Sequence, residues 1–240
     1  NVRIGTLNPA ITEATVIEVP DNPPLMMEPL VRDNRRVGLK DFDPCTILLN
    51  NDLSAGIPDI LRDLHEQFLL PPLHAGWAVR RKSNHFAAYD DVVKDFAHLL
   101  AIDPWLINPY FAVCGEVNFQ ERAGEECLRT NVEALLAQVR VKYLEYGIKE
   151  TPYVVVKADA GTYGMGVMTA KTPDDVVGLN RKQRNKMAVV KEGLAVSNVI
   201  MQEGIHTYER INDAVAEPVV YMIDRYVVGG FYRVHTGRGV

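Results

Sequence analysis

Between residues 125 and 146, apolar side chains return every three or four positions: Leu128, Val132, Leu135, Leu136, Val139 and Tyr143. That spacing predicts an amphipathic helix, and Gly147 is a suitable C-terminal cap. Ile57, Ile60, Leu61, Leu64 and Phe68 predict a second helix, with Pro58 in its first turn and "LLPPL" ending it. Val92, Val93, Phe96, Leu99 and Leu100 predict a third, capped by Asp90 and closed by "DPW". Thr172-Pro-Asp-Asp175 reads as a capping box that opens a basic helix through Arg181, Lys182, Arg184 and Lys186.

The strand signals differ in texture. The first 40 residues, proline-rich around "VPDNPPLMMEPL", predict short strands and irregular chain, and "TILLN" (46–50) a short buried strand. After residue 147 come "YVVV", "NVIMQEGI" and the pair "EPVVYMI" and "YVVGGFYRV", the last two separated by the dipeptide Asp224-Arg225. Two β-rich runs around two residues predict a hairpin, and Gly229-Gly230 within it predicts a bulge or a close backbone approach. The order β–loop–β–helix–β–β–β is α+β rather than a regular βαβ alternation. A division near residue 147 separates a mixed N-terminal half, 1–147, from 148–240.

Composition adds bounds. The chain has 240 residues, 47% hydrophobic and 24% charged, enough for one large core or two small ones. A net charge of −5 without basic blocks argues against a nucleic-acid or membrane surface on the scale of the domain. No apolar run approaches the roughly 18 residues a membrane span needs. Cys45, Cys114 and Cys127 form no CxxC pair, so neither a zinc site nor a disulfide framework is expected, and buried or free thiols in a reducing, cytoplasmic compartment are. The chain opens on Asn1 and stops at "HTGRGV", so missing sequence at either end is an open expectation.

The densest chemical signal is "KADAGTYGMGVM", residues 157–168. Gly161 and Gly166 have the spacing of a Walker loop, but Val167 and Met168 stand where lysine and Ser/Thr are required. A dinucleotide fingerprint starting at Gly164 would place its third glycine at Thr169, and the kinase order of glycines is reversed. What remains is strand, lysine, glycine loop, strand: a flap between antiparallel strands. Alone it reads equally as a glycine-rich turn with no ligand. Lys157, at the end of an apolar strand, is placed to reach a phosphate held by such a loop. Gln202-Glu203-Gly204 ends another apolar strand and can offer backbone groups to an adenine edge, or be a plain strand-to-loop transition. Arg233 has the fork geometry for a transferred phosphoryl group, or is a surface arginine.

In this order the segments resemble the ATP-grasp fold. Whole phrases go further. "NNDLSAGIPDIL", "LLPPLHAGW", "RRKSNHFAAYD", "DPWLINPYF", "KADAGTYGMGVM", "RNKMAVVKEG" and "AEPVVYMIDRYVVGGFYRVHTGRG" are similar to the proteobacterial glutamate–cysteine ligase family. The resemblance implies an ATP-grasp-like α+β protein with an N-terminal mixed α/β substrate domain (1–147). Two α+β subdomains enclosing ATP would follow: a glycine flap (148–195), and a hinge strand with hairpin (196–240). It implies ATP-dependent joining of the glutamate γ-carboxylate to the cysteine amine through an acyl-phosphate, the first step of glutathione synthesis.

The implied roles follow residue by residue. Lys157 neutralises phosphates, and Gly161, Thr162, Tyr163, Gly164 and Gly166 form a lid. Gln202, Glu203 and Ile205 receive the adenosine, and Arg233 steadies the acyl-phosphate. Mg²⁺ is implied as well, with no ligand assigned beyond Glu217 as a candidate at the nucleotide. Arg80, Arg81, Lys82, Ser83, Asn84 and His85 are the candidates for the amino-acid substrates, against the alternative of a solvated loop. Partners are small molecules, with a homo-oligomer left open. Another ATP-grasp amino-acid ligase and a nucleotide-binding protein without turnover remain alternatives.

Overall fold

A computed structural model describes residues 1–51, 53, 56–76, 80–160, 166–189 and 195–235. The chain divides into two compact units, one built on Asn1–Asn84 and one on His85–Asp159 with the later strands.

The first unit is made of short strands, as proline content dictates. β1 (Ile4–Thr6), β2 (Thr15–Ile17) and β3 (Leu25–Pro29) form a sheet in the order β1-β3-β2. β4 (Val31–Asp33) pairs with β5 (Arg36–Gly38), and β6 (Thr46–Leu48) with β7 (Phe68–Leu70). Val37, Leu61, Leu64 and Leu69 form its core. Buried Gln67 extends the ladder: its Oε1 accepts from Val37 N–H at 2.6 Å, and its Nε2 donates to Val37 O at 2.8 Å and Pro44 O at 3.0 Å. The helix expected from Ile57 is absent. Only a 3₁₀ turn, Asp59–Leu61, forms before Asp63 enters the left-handed region at φ 55°, and Phe68 begins β7. β6 is an exposed pair member rather than a buried strand, with Leu48 open to solvent.

The second unit carries the expected α2 (Glu125–Glu145), following α1 (Lys82–Leu100) and β8 (Phe111–Cys114). All six residues of the α2 apolar stripe are buried, and Gly147 follows at φ 67°. β9 (Val154–Ala158), β10 (Val167–Ala170) and β11 (Val199–Glu203) join β8 in a sheet ordered β10-β9-β11-β8, every neighbouring pair antiparallel. α3 (Arg181–Ala188) lies between β10 and β11 in the chain. β12 (Arg210–Ile211), β13 (Ala214–Ile223) and β14 (Tyr226–His235) form a separate antiparallel sheet. Its hairpin turns at Asp224-Arg225 as expected, and the register shifts opposite Gly229, where the glycine pair predicts a bulge.

Three local readings are corrected. α1 starts at Lys82, so Asp90 is a mid-helix residue, because nothing between Lys82 and Asp90 breaks a helix and Ala87-Ala88 favours one. Its inward stripe is Val93 and Ala97, while Val92, Phe96, Leu99 and Leu100 are exposed. Thr172–Asp175 caps an isolated turn, Pro173–Val176, and α3 has its own capping box in Asn180 and Gln183. Cys114 and Cys127 are not free: β8 ends against the first turn of α2, with the two Cα atoms 6.3 Å apart, and a disulfide joins them. A separation of 13 residues hides that proximity from any spacing rule. Cys45 is the free thiol among the described residues.

Strand alternation then fixes which side chains meet α2. Cross-strand partners Cys114, Val199 and Ala158 share one face with Ala112, Met201, Val156, Glu203 and Val154. α2 packs on this face, as its contacts with β8, β9 and β11 and the disulfide show. Leu136 is fully buried at this contact and Leu144 is 83% exposed on the far side of the helix. Leu136→Ala should therefore cost about 2–5 kcal/mol in urea unfolding. Leu144→Ala should stay within about 0.5 kcal/mol. Equal losses would contradict the assigned face.

Candidate functional site

The opposite face of the sheet carries Lys157, Val155, Ile200 and Gln202. Ile200 lies directly across from Lys157 and Gln202 across from Val155, so the lysine and the glutamine are diagonal neighbours on one surface. Lys157 is half-buried, and no hydrogen bond or ion pair engages it among the described residues. Burial pulls its ammonium below the ordinary lysine range, with no carboxylate to offset it.

β9 and β10 bracket the glycine loop as expected: Lys157 pairs with Val167, and Ala158 N–H donates to Gly166 O at 3.2 Å. Gly166 sits at φ 61°, a conformation that favours glycine. Gly161, Thr162, Tyr163 and Gly164 lie outside the described residues. Asp159, which sequence reasoning passed over, is buried just beyond Lys157, its N–H donating to Asn198 O at 3.0 Å.

Glu203 is next to Gln202 but faces the other way. Its carboxylate, 4% exposed, accepts from Trp105 Nε1 at 3.1 and 2.9 Å and from Tyr110 N–H at 3.2 Å, on the α2 side. Burial raises its pKa above the ordinary 4.5, and these donors pull the other way. Beyond it, the chain is pressed onto Tyr153. Gly204 N–H donates to Tyr153 O at 2.8 Å and the Tyr153 hydroxyl to Ile205 O at 2.9 Å. A Cβ on Gly204 would lie 2.1 Å from the tyrosine ring. The Ile205 side chain is exposed. Neither Trp105 nor Tyr153 had a sequence signal beyond being aromatic; "DPW" reads only as a helix terminator.

The other candidates stand elsewhere. Arg233 is opposite Glu217 in the β13–β14 ladder and forms an exposed ion pair with it, Nε donating at 3.1 Å and Nη2 closer. Both belong to the three-stranded sheet, not to the sheet of Lys157. Lys82, Ser83, Asn84 and His85 form the first turn of α1, with Arg80 and Arg81 just before it. Three cations at the positive end of a helix dipole oppose helix stability and create an electropositive end suited to carboxylates. His85 stacks against Tyr89 with centroids 6.1 Å apart. Among the described residues no group of three His, Cys, Asp or Glu could hold a metal ion. No helix among them is long and apolar enough to cross a membrane.

Comparison with known proteins gives these features a context. A family model described as glutamate-cysteine ligase matches residues 1–240. Among solved structures, a Methylobacillus flagellatus KT protein assigned as gamma-glutamylcysteine synthetase is similar, at 63% identity and a TM-score of 0.87. The match covers 99% of this chain and 56% of that one, so the chain spans a little over half of its relative. No curated protein matches the chain.

The raised Glu203 pKa has a consequence for stability. The folded protein holds this proton to higher pH than the unfolded chain does, so the stability contributed by Glu203 is fully present below 4.5 and is lost as pH rises through the raised value. Glu203→Gln removes that dependence. Unfolding followed across this range should show wild type losing stability relative to Glu203→Gln as pH increases; parallel curves would refute it.

Proposed function

We propose, from the premise that this chain belongs to the glutamate–cysteine ligase family, that the protein joins the γ-carboxylate of L-glutamate to the amine of L-cysteine at the expense of ATP. The observation that carries the ATP dependence is Lys157. It is a half-buried cation without a partner among the described residues, at the end of the strand that feeds the glycine loop, on the sheet face opposite α2.

In this reading the β9–β10 flap and the end of β11 are parts of an ATP-grasp-like nucleotide site within 148–240, and 1–147 is the substrate side. Lys157 would neutralise the phosphates, and the loop amides would cover them. Gln202 and the main chain to Ile205 would receive the adenosine. The cations at the start of α1 would hold an α-carboxylate, and Arg233, released from Glu217, would steady the transferred phosphoryl group. Carboxylate attack on the γ-phosphate would expel ADP and give an acyl-phosphate; the cysteine amine would then attack its acyl carbon, expelling phosphate and losing a proton, with closure excluding water. The family implies Mg²⁺, which would balance phosphate charge. A reaction that consumes ATP and reduced cysteine would run in the cytoplasm.

Purified protein given ATP, Mg²⁺ and glutamate should form dipeptide with cysteine as acceptor. Lys157→Ala should lower kcat/KM for ATP by about 10- to 150-fold, the loss of a charged contact worth roughly 1.5–3 kcal/mol. Product only with a different acceptor would reject the substrate assignment. ATP binding without ADP formation under any acceptor would reject catalysis.

A further inference from the structure

The end of β11 is braced from the face opposite Lys157. Asp103 caps the turn Pro104–Leu106, its Oδ1 accepting from Trp105 N–H at 2.9 Å. Its other oxygen pairs with Lys142 and accepts from the Tyr146 hydroxyl at 3.0 Å. The Trp105 ring lies against Tyr146 and Tyr143, with centroids 5.2 and 6.2 Å away. Its indole N–H then reaches both oxygens of Glu203. One connected line therefore runs from the last turns of α2, through Asp103 and Trp105, to the residue between Gln202 and Gly204.

We propose that Trp105 is a positioning residue for nucleotide binding, acting through Glu203 to fix the main chain of residues 203–205. The inference rests on the reading that this stretch receives the nucleotide. It assigns Glu203 a different part from a nucleotide ligand: its carboxylate is buried, triply hydrogen-bonded, and turned away from Lys157 and Gln202. A buried carboxylate stripped of the indole donor keeps only the Tyr110 N–H. It must then take up a proton or swing outward, and the attached main chain moves with it. A hinge that is no longer preorganised binds its ligand more weakly.

Three variants separate positioning from mere structural support: Trp105→Phe, Glu203→Met and Glu203→Gln. ADP binding is measured by calorimetry, thermal stability by melting, and kcat and the KM for ATP by turnover with glutamate and cysteine. Trp105→Phe and Glu203→Met should each weaken ADP binding roughly tenfold, with a matching rise in KM and kcat within about twofold. Glu203→Met removes the buried charge with the tie, so it should melt no lower than wild type while still binding weakly, and it carries the test if Trp105→Phe does not fold. Glu203→Gln keeps an acceptor for the indole and should bind within about threefold of wild type. Affinity that follows melting temperature across the set overturns the proposal, as does a Glu203→Gln loss equal to that of Glu203→Met. Wild type that binds ADP as tightly as Trp105→Phe rejects this proposal alone. Wild type that binds no ADP rejects the nucleotide reading and the proposal together.

Discussion

The contact that organises the second unit is α2 against one face of the four-stranded sheet. Once that face is filled, the two-residue period of the strands decides what every other side chain can do. Val154, Val156 and Ala158 go to the helix, and Lys157 cannot. Met201 and Glu203 go to the helix, and Gln202 cannot. A one-residue slip of β11 would turn Gln202 toward α2 and Glu203 toward the Lys157 side, inverting the site. The Lys142–Asp103–Trp105 line at the last turn of the helix ends on Glu203 and opposes that slip, while the disulfide at the first turn ties the helix to β8.

Much of this arrangement was legible in the chain, for physical reasons. α2 has a long, uninterrupted stripe that only a helix can bury on one side, and the β13–β14 pair leaves no room for another turn. The flap followed from β-type runs on both sides of the glycines. Short apolar spacings were less informative. The Ile57–Phe68 series has helical periodicity but also Asp63, whose left-handed backbone ends the turn, and the series supplies a small core instead. Capping signals were genuine and misassigned: the Thr172 box closes one turn and no more.

The site divides in the same way. Lys157 and the end of β11 could be picked out because a cation after an apolar strand is unusual, and folding puts Lys157 and Gln202 on one surface. Which way Glu203 faces depends on register, and register is set by partners distant in sequence. Trp105 is 98 residues from the carboxylate it holds, and no local pattern announces that bond. The exposed Arg233–Glu217 pair shows another limit: each residue was a sensible ligand, yet folding makes them partners of each other.

Gly204 lying flat on Tyr153 sets an order on how this hinge can diverge. The ring occupies the volume a β-carbon would need, while the same tyrosine supplies both hydrogen bonds that hold the turn. A bulkier residue at 204 is therefore reachable only along a path that first reduces the residue at 153, and that first step already loosens the hinge. The two positions form an epistatic pair in which each locks the other.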